Sequence, residues 1–293
     1  MPTIQLSNRS LIRVEGPDAE NFLQNILTTD LDALAQGELK PGALLTPQGK
    51  IMFDFLIARS GDAGFLLDCR SDLADDFVKR LTLYRLRAKA DISKQDQADV
   101  VVRWEIDSAL SDDDSTGTAD GWLNDTRFQN APRVQRSYES AGSADTNIEP
   151  WTLLRIANGV AESGTDYDAS DAFPHDVLLD QTGGVGFRKG CYIGQEVVSR
   201  MHHRGTARRR VMVATSDTDL PPSGTEVRAN DRPIGVLGTV SGTTAIAIMR
   251  IDRVRAALDA GQPITADGVE LSLAIPPSAT YELPQSATGS EEA

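Results

Sequence analysis

Apolar residues recur at Ala19, Phe22, Leu23, Ile26 and Leu27 behind Gly16-Pro17-Asp18, the spacing of one helical face with acidic Asp18 and Glu20 in its first turn. The period then changes to two. Ile51, Phe53, Phe55 and Ile57 alternate with other residues and predict a strand. Thr46-Pro47-Gln48-Gly49 reads as a type I turn joining it to a strand around Ala43 to Leu45. Phe65 to Cys69 predicts a third strand after the Ser60 to Gly64 turn. Ser71 is placed to cap a helix with Leu73, Phe77, Leu81 and Tyr84 inward, Asp99 to Ile106 reads as a strand, and Glu149 to Asn158 as a helix closed by Gly159. From Arg208 onward short strands and turns dominate, with a hairpin turn at Asn230-Asp231 and a buried strand at Thr243 to Met249. This predicts an α+β protein with a separate C-terminal β-barrel.

Composition narrows the class. A hydrophobic content of 40% and a charged content of 25% describe an ordinary globular chain, and 293 residues bury a substantial core. The net charge of -14 disfavours nucleic acid and anionic membrane as partners of the whole surface. No apolar run approaches the roughly 20 residues of a spanning helix, and Met1 to Ser10 lacks a signal-like apolar segment, so a cytoplasmic protein is expected. The two cysteines, Cys69 and Cys191, lie far apart and form no metal-binding pair. An iron–sulfur cluster takes about four thiolates, so this chain alone is a poor cluster holder.

The densest chemistry lies in Lys189-Gly190-Cys191-Tyr192-Ile193-Gly194-Gln195-Glu196. A thiol between glycines beside Arg188 and Lys189, at the predicted start of a helix, should have its thiolate favoured. Glycine-flanked Gly183 to Arg188 reads as a short strand and turn ahead of it, and Ile193, Val197 and Met201 follow at helical spacing. Glu196 and Arg200 form an i,i+4 pair, His202, His203 and Arg204 fall in the last turn, and Gly205 suits the residue after it. Sequence context leaves two readings of Cys191, a small side chain packing the helix start or a functional thiol. Cys69, in an apolar strand, reads as structural. His202 and His203 point about 100° apart on a helix and do not chelate together; no metal site is expected. Nothing in the sequence orients His175 toward Cys191.

The cysteine block resembles the signature of the YgfZ-type folate-binding proteins, relatives of the glycine-cleavage T-protein (aminomethyltransferase). Phe22 to Asp30, Leu45 to Ile51 and Leu83 to Lys89 are similar to further blocks of that family, in the same order. The resemblance implies an aminomethyltransferase-like folate-binding region over 1–205, in two subdomains with a loop near 107–120. A β-barrel over 206–277 and a flexible tail over 278–293 would follow. It further implies tetrahydrofolate as ligand, and iron–sulfur client or assembly proteins as partners, with no nucleic acid and no membrane. Cys191 would be the reactive thiol, and Lys189, Gly190, Tyr192, Gly194, Gln195, Glu196, Arg200 and Arg87 the cofactor-binding set. A folate-dependent aminomethyl transferase and a non-catalytic folate-sensing scaffold are the alternatives.

Folate chemistry asks for a carboxylate to accept paired pterin N–H groups and bases for the glutamate tail. Two basic clusters are available: Arg80, Arg85, Arg87 and Lys89, and then Arg200, Arg204, Arg208, Arg209 and Arg210. Helix-end charge and solvent-facing strand positions explain both clusters equally. Phe53 and Tyr84 offer rings for stacking but sit at core spacing. The acidic run Asp112 to Asp114 reads as a solvated loop.

Overall fold

The computed structural model describes residues 1–61, 63–95, 99–105, 121–128, 132–139 and 144–285. The whole 107–120 connection with its acidic loop at 111–114, Ile106 and the end of the tail lie outside the described residues.

The N-terminal two thirds carry β1 (Thr3–Gln5), β2 (Arg9–Glu15), α1 (Ala19–Ile26), β3 (Glu38–Leu45), β4 (Ile51–Ser60), β5 (Gly64–Arg70), α2 (Ala74–Arg85), β6 (Asp91–Gln95), β7 (Val101–Trp104), β8 (Trp122–Asp125), β9 (Val134–Ser137), α3 (Glu149–Asn158) and α4 (Gln195–Arg204). Their strands form one nine-stranded sheet in the order β1-β7-β9-β8-β3-β4-β5-β2-β6. Every pairing is antiparallel except β3 with β8. The apolar face of α1 and of α2 packs on Phe53, Phe55 and Ile57 of β4, where the Phe77 ring stacks on Phe53 at 4.7 Å. The alternate positions Leu56 and Ala58 are buried against Leu39 on the other side. Phe53 is thus a core ring, as its spacing indicates, and β4 is covered on both faces. That double cover matters for Asp54.

The C-terminal part carries β10 (Arg209–Thr215), β11 (Glu226–Ala229), β12 (Arg232–Ser241), β13 (Thr244–Arg250), α5 (Ile251–Asp259), β14 (Ile264–Ala266), β15 (Val269–Glu270) and β16 (Ser272–Ala274). The strands form a seven-stranded sheet, β15-β14-β11-β12-β13-β10-β16. Its two edge strands are separated in sequence by Leu271 alone, so the chain itself joins the edges and the sheet closes into a barrel. The fold is α+β with a C-terminal barrel, as expected from the sequence.

Several local expectations change. The helix after Ser71 begins at Ala74, behind a 3-10 turn over Ser71–Leu73, and Ser71 makes no capping bond. Helix α5 interrupts what reads as strands only; Ile251, Val254 and Ala257 form its buried face. Gly183 to Arg188 forms turns and bends instead of a strand. The helix of the cysteine block starts at Gln195, with Gly194 as its cap, and ends at Arg204 before left-handed Gly205.

Candidate functional site

Cys191 therefore lies exposed four residues ahead of Gln195, and not at the start of the helix as the sequence suggests. The turn is fastened from both sides. Thr28 and Thr29, fully buried after α1, bind it through Thr28 Oγ1 donating to Gly184 O at 2.6 Å and Gly186 N–H donating to Thr28 O at 2.8 Å. Lys189 Nζ donates to Leu27 O at 2.8 Å and Thr29 O at 2.7 Å, and lies 5.4 Å from the centroid of the Tyr192 ring. Burial pulls the Lys189 ammonium down to about 8 against the opposing pull of Asp30 and Asp32. Lys189 thus turns inward as a tie; it is not spent on the thiol. Tyr192 is buried, and burial pushes its hydroxyl up to about 12.

A second fastening comes from the β3–β4 turn. Gly194 has φ +79°, and a Cβ there would lie 2.6 Å from Thr46 O and 3.0 Å from Gly49 Cα. Gly49 has φ +81° and meets Val197 in the same way. Only glycines allow this approach of turn to helix. Gly194→Ala is expected to cost about 1–3 kcal/mol, read by urea unfolding; no change would show that the contact relaxes freely. Gly190 is different: a Cβ there meets nothing within 4 Å. Two of the three sequence blocks that resemble the folate-binding family, Phe22 to Asp30 and Leu45 to Ile51, thus converge on the cysteine block.

The remaining expected contacts are scattered. Glu196 and Arg200 pair with each other at the solvent face of α4. Gln195 opens the helix half-buried. Arg87 is exposed in the link between α2 and β6, and among the described residues no hydrogen bond or ion pair joins it to the block. Of the second basic cluster, Arg209 and Arg210 are not the solvent-facing strand positions expected. Arg209 pairs with Asp171 at 3.1 Å, and buried Arg210 with Asp180 at 2.7 Å. His175 is buried beside Arg210 with neither ring nitrogen hydrogen-bonded, and its burial lowers it to about 4. His202 stacks on Phe187, ring centroids 3.8 Å apart. Among the described residues no group of three or more His, Cys, Asp or Glu side chains could hold a metal ion.

A cleft opens where the large sheet meets the segments after α3 and before the cysteine block. Arg9, Pro41, Gly42, Asp54, Phe55 and Arg127 line one side, and Gly159, Tyr167, Leu178, Leu179 and Thr182 the other. Its cavity volume is about 30 Å³, room for little more than one water. None of the cofactor-binding residues expected from the sequence lines it. Asp54 supplies its carboxylate, accepting from Ser163 Oγ and the Tyr167 hydroxyl. Sequence reading passed over Asp54. Its signal is a carboxylate on the second face of a strand that is covered on both.

Behind the cleft sits a buried ionic network. Asp68 accepts from Arg9 Nε at 2.6 Å and Arg136 Nη1 at 2.7 Å, with all three side chains at most 4% exposed. Asp125 holds Arg127 through two bonds of 2.9 and 2.7 Å and Arg136 through a third of 3.3 Å. Burial would raise the Glu162 carboxyl, but Arg155, Arg9, Arg127 and Arg136 draw it down to about 2. Asp166 ties this wall to the barrel, accepting from Arg155 Nη1 at 3.2 Å and from Thr239 N–H at 2.6 Å. Cys69 lies buried on β5, and burial pushes its thiol up to about 12, leaving Cys191 as the accessible sulfur.

Comparison with known proteins fits this geometry. Residues 3–101 match the GCVT N-terminal domain and residues 208–281 the CAF17 C-terminal β-barrel domain. The chain is 31% identical over 71% of its length to the iron–sulfur cluster assembly factor IBA57 homolog, mitochondrial, of Pyricularia oryzae, of which the match spans 55%. It is 28% identical over 92% of its length to the human iron–sulfur cluster assembly factor IBA57, mitochondrial, of which the match spans 82%. Among solved structures, the glycine cleavage system aminomethyltransferase T of Bartonella henselae superposes with a TM-score of 0.71 at 17% identity, covering 95% of this chain and 86% of that one. The chain thus matches a GCVT N-terminal domain followed by a CAF17-type barrel, and the relatives named are IBA57 proteins. They also overturn the cytoplasmic expectation, because these relatives are mitochondrial.

Proposed function

We propose that this protein assists iron–sulfur cluster assembly or repair in client enzymes, with Cys191 as the working thiol and tetrahydrofolate held in the central cleft. The observation that carries the reading is the cysteine turn: Lys189 and Tyr192 are drawn inward while Cys191 is left exposed between them. Two inward-turned side chains flanking one outward thiol present a sulfur at a fixed place without enclosing it. One thiolate does not hold a cluster, so the remaining ligands come from the protein that meets it. The IBA57 relatives, named as iron–sulfur cluster assembly factors, support that direction.

The cleft supports the folate part. Asp54 offers the carboxylate that a pterin edge needs, with Arg9 and Arg127 on the same wall. As it stands the cleft holds little more than one water, so a flat pterin ring enters only as its walls part. The same chain segment that lines the cleft through Leu178, Leu179 and Thr182 continues into the cysteine turn, so a ligand that spreads the cleft also moves the base of that turn.

Two experiments test the reading. In an extract lacking the protein, adding it should restore cluster insertion into an apo [4Fe–4S] enzyme; no stimulation would overturn the assembly role. Anaerobic calorimetry should show tetrahydrofolate binding by wild type and Cys191→Ser alike, with the Kd raised about 10–100-fold in Asp54→Ala. Equal affinity in Asp54→Ala would move the folate out of this cleft.

A further inference from the structure

Leu27, Thr28 and Thr29 lie between the cleft and the cysteine turn and are bonded to both. On one side they ride on β3. Leu27 forms a β-bridge with Leu44, and Thr28 N–H donates to Ala43 O at 3.0 Å while its Oγ1 accepts from Ala43 N–H at 2.9 Å. Thr29 Oγ1 donates to Pro41 O at 2.8 Å, and a Cβ at Gly42 would collide with that oxygen. Pro41 and Gly42 line the cleft. On the other side four bonds from the turn land on the same three residues. The Thr28 hydroxyl donates to Gly184 O, Gly186 N–H donates to Thr28 O, and Lys189 Nζ donates to Leu27 O and Thr29 O.

The opposite wall of the cleft reaches the same point. Gly184 N–H donates to Leu179 O at 2.9 Å, and a Cβ at Gly184 would lie 2.9 Å from the Leu179 side chain. The bonds from Thr28 to Gly184 and Gly186 therefore tie the two walls together, and the same bonds hold the turn that leads to Cys191. A molecule larger than a water enters only by moving one wall from the other, and that movement loads these bonds. Thr28 and Thr29 are fully buried, so water does not replace a bond they lose. We infer that Thr28 and Thr29 are positioning residues that couple the two sites: parting the cleft walls releases the turn, so the occupant of the cleft sets how firmly Cys191 is presented. By linkage, a partner that fixes the turn as it stands weakens binding in the cleft by the same factor. This deepens the proposed function and rests on it only for the identity of the ligand; the coupling itself is tested without one.

The ligand-free test is Gly42→Ala, whose methyl displaces the Thr29 hydroxyl from the cleft wall. Two readouts follow the turn. One is acetylation of Lys189 by an N-hydroxysuccinimide ester, with exposed Lys79 as internal standard; the other is hydrogen exchange at the Gly186 amide. Both should rise about 10-fold over wild type, the scale of one lost charge-assisted bond, while Lys79 and the amides of the β2–β5 ladder stay unchanged. Thr29→Val, which keeps the shape and removes the bond to Pro41, should act the same way to a smaller extent, and Thr29→Ser should match wild type. In wild type, saturating tetrahydrofolate under anaerobic conditions should raise Gly186 exchange about 5-fold or more. Unchanged labelling and exchange in Gly42→Ala and Thr29→Val would overturn the inference. So would a rise spread evenly over all lysines and amides, which is lost stability and not a relay. Tetrahydrofolate that binds in calorimetry and leaves Gly186 exchange as it was would overturn it too. Absence of tetrahydrofolate binding removes the folate reading instead, and Gly42→Ala then decides the coupling alone.

Discussion

Asp68→Asn should lower the stability of the fold by about 3–5 kcal/mol, read as a fall in the urea midpoint with an unchanged slope. Asp68 is fully buried and neutralises Arg9 and Arg136 together, and Tyr138 OH also donates to it at 3.3 Å. An amide of the same shape still accepts a hydrogen bond but leaves two buried guanidinium groups sharing less negative charge. Neither has an escape to water, because their side chains are 4% and 0% exposed. The matching control is Asp72→Asn. Asp72 pairs with Arg70 at the surface, 60% exposed, and its loss should cost under about 1 kcal/mol. A loss at Asp68 as small as at Asp72 would mean that water reaches the network. The consequence extends to function, since Arg9 both anchors this network and lines the cleft.

Cys191→Ser should do the reverse, leaving stability within about 0.5 kcal/mol of wild type while removing native thiol reactivity altogether. The side chain is exposed, and the turn is held by Lys189, Tyr192 and Gly194 without help from the sulfur. Alkylation of the folded protein should label one cysteine in wild type and none in the variant, whereas the unfolded chains should label two and one. Labelling of the folded variant at Cys69 would show that the strand carrying it opens far more readily than its 2% exposure indicates. Cys69→Ser should show the complementary pattern, with stability reduced and Cys191 still reactive.

The parts of the fold that periodicity announces are the parts it delivers. The α1 face, the alternation along β4 and the Gly159 stop of α3 depend on neighbours close in sequence, and local spacing encodes them. The cysteine turn was legible as a block but not as geometry. Its glycines and its Ile193–Val197–Met201 spacing suggest a helix beginning at the thiol, yet Ile193 is drawn into the core beside α1 and α2, and the helix starts after Gly194. Lys189 reads as a thiol activator from its adjacency, but the carbonyls that claim it belong to Leu27 and Thr29, more than 150 residues away in sequence. Asp54 was silent for the same reason, because its partners Ser163 and Tyr167 come from the far wall of the cleft. Arg209 and Arg210 look solvent-facing until Asp171 and Asp180 are folded against them. What sequence could not supply was the pairing of charges across the fold.

The measurement that bears most directly on the central claim is the activity of a [4Fe–4S] enzyme in cells that lack this protein and are supplied with wild type, Cys191→Ser or Cys69→Ser at matched abundance. Wild type and Cys69→Ser should restore the activity, and Cys191→Ser should leave it at the level of cells without the protein. Full restoration by Cys191→Ser would take the thiol out of the mechanism and contradict the account.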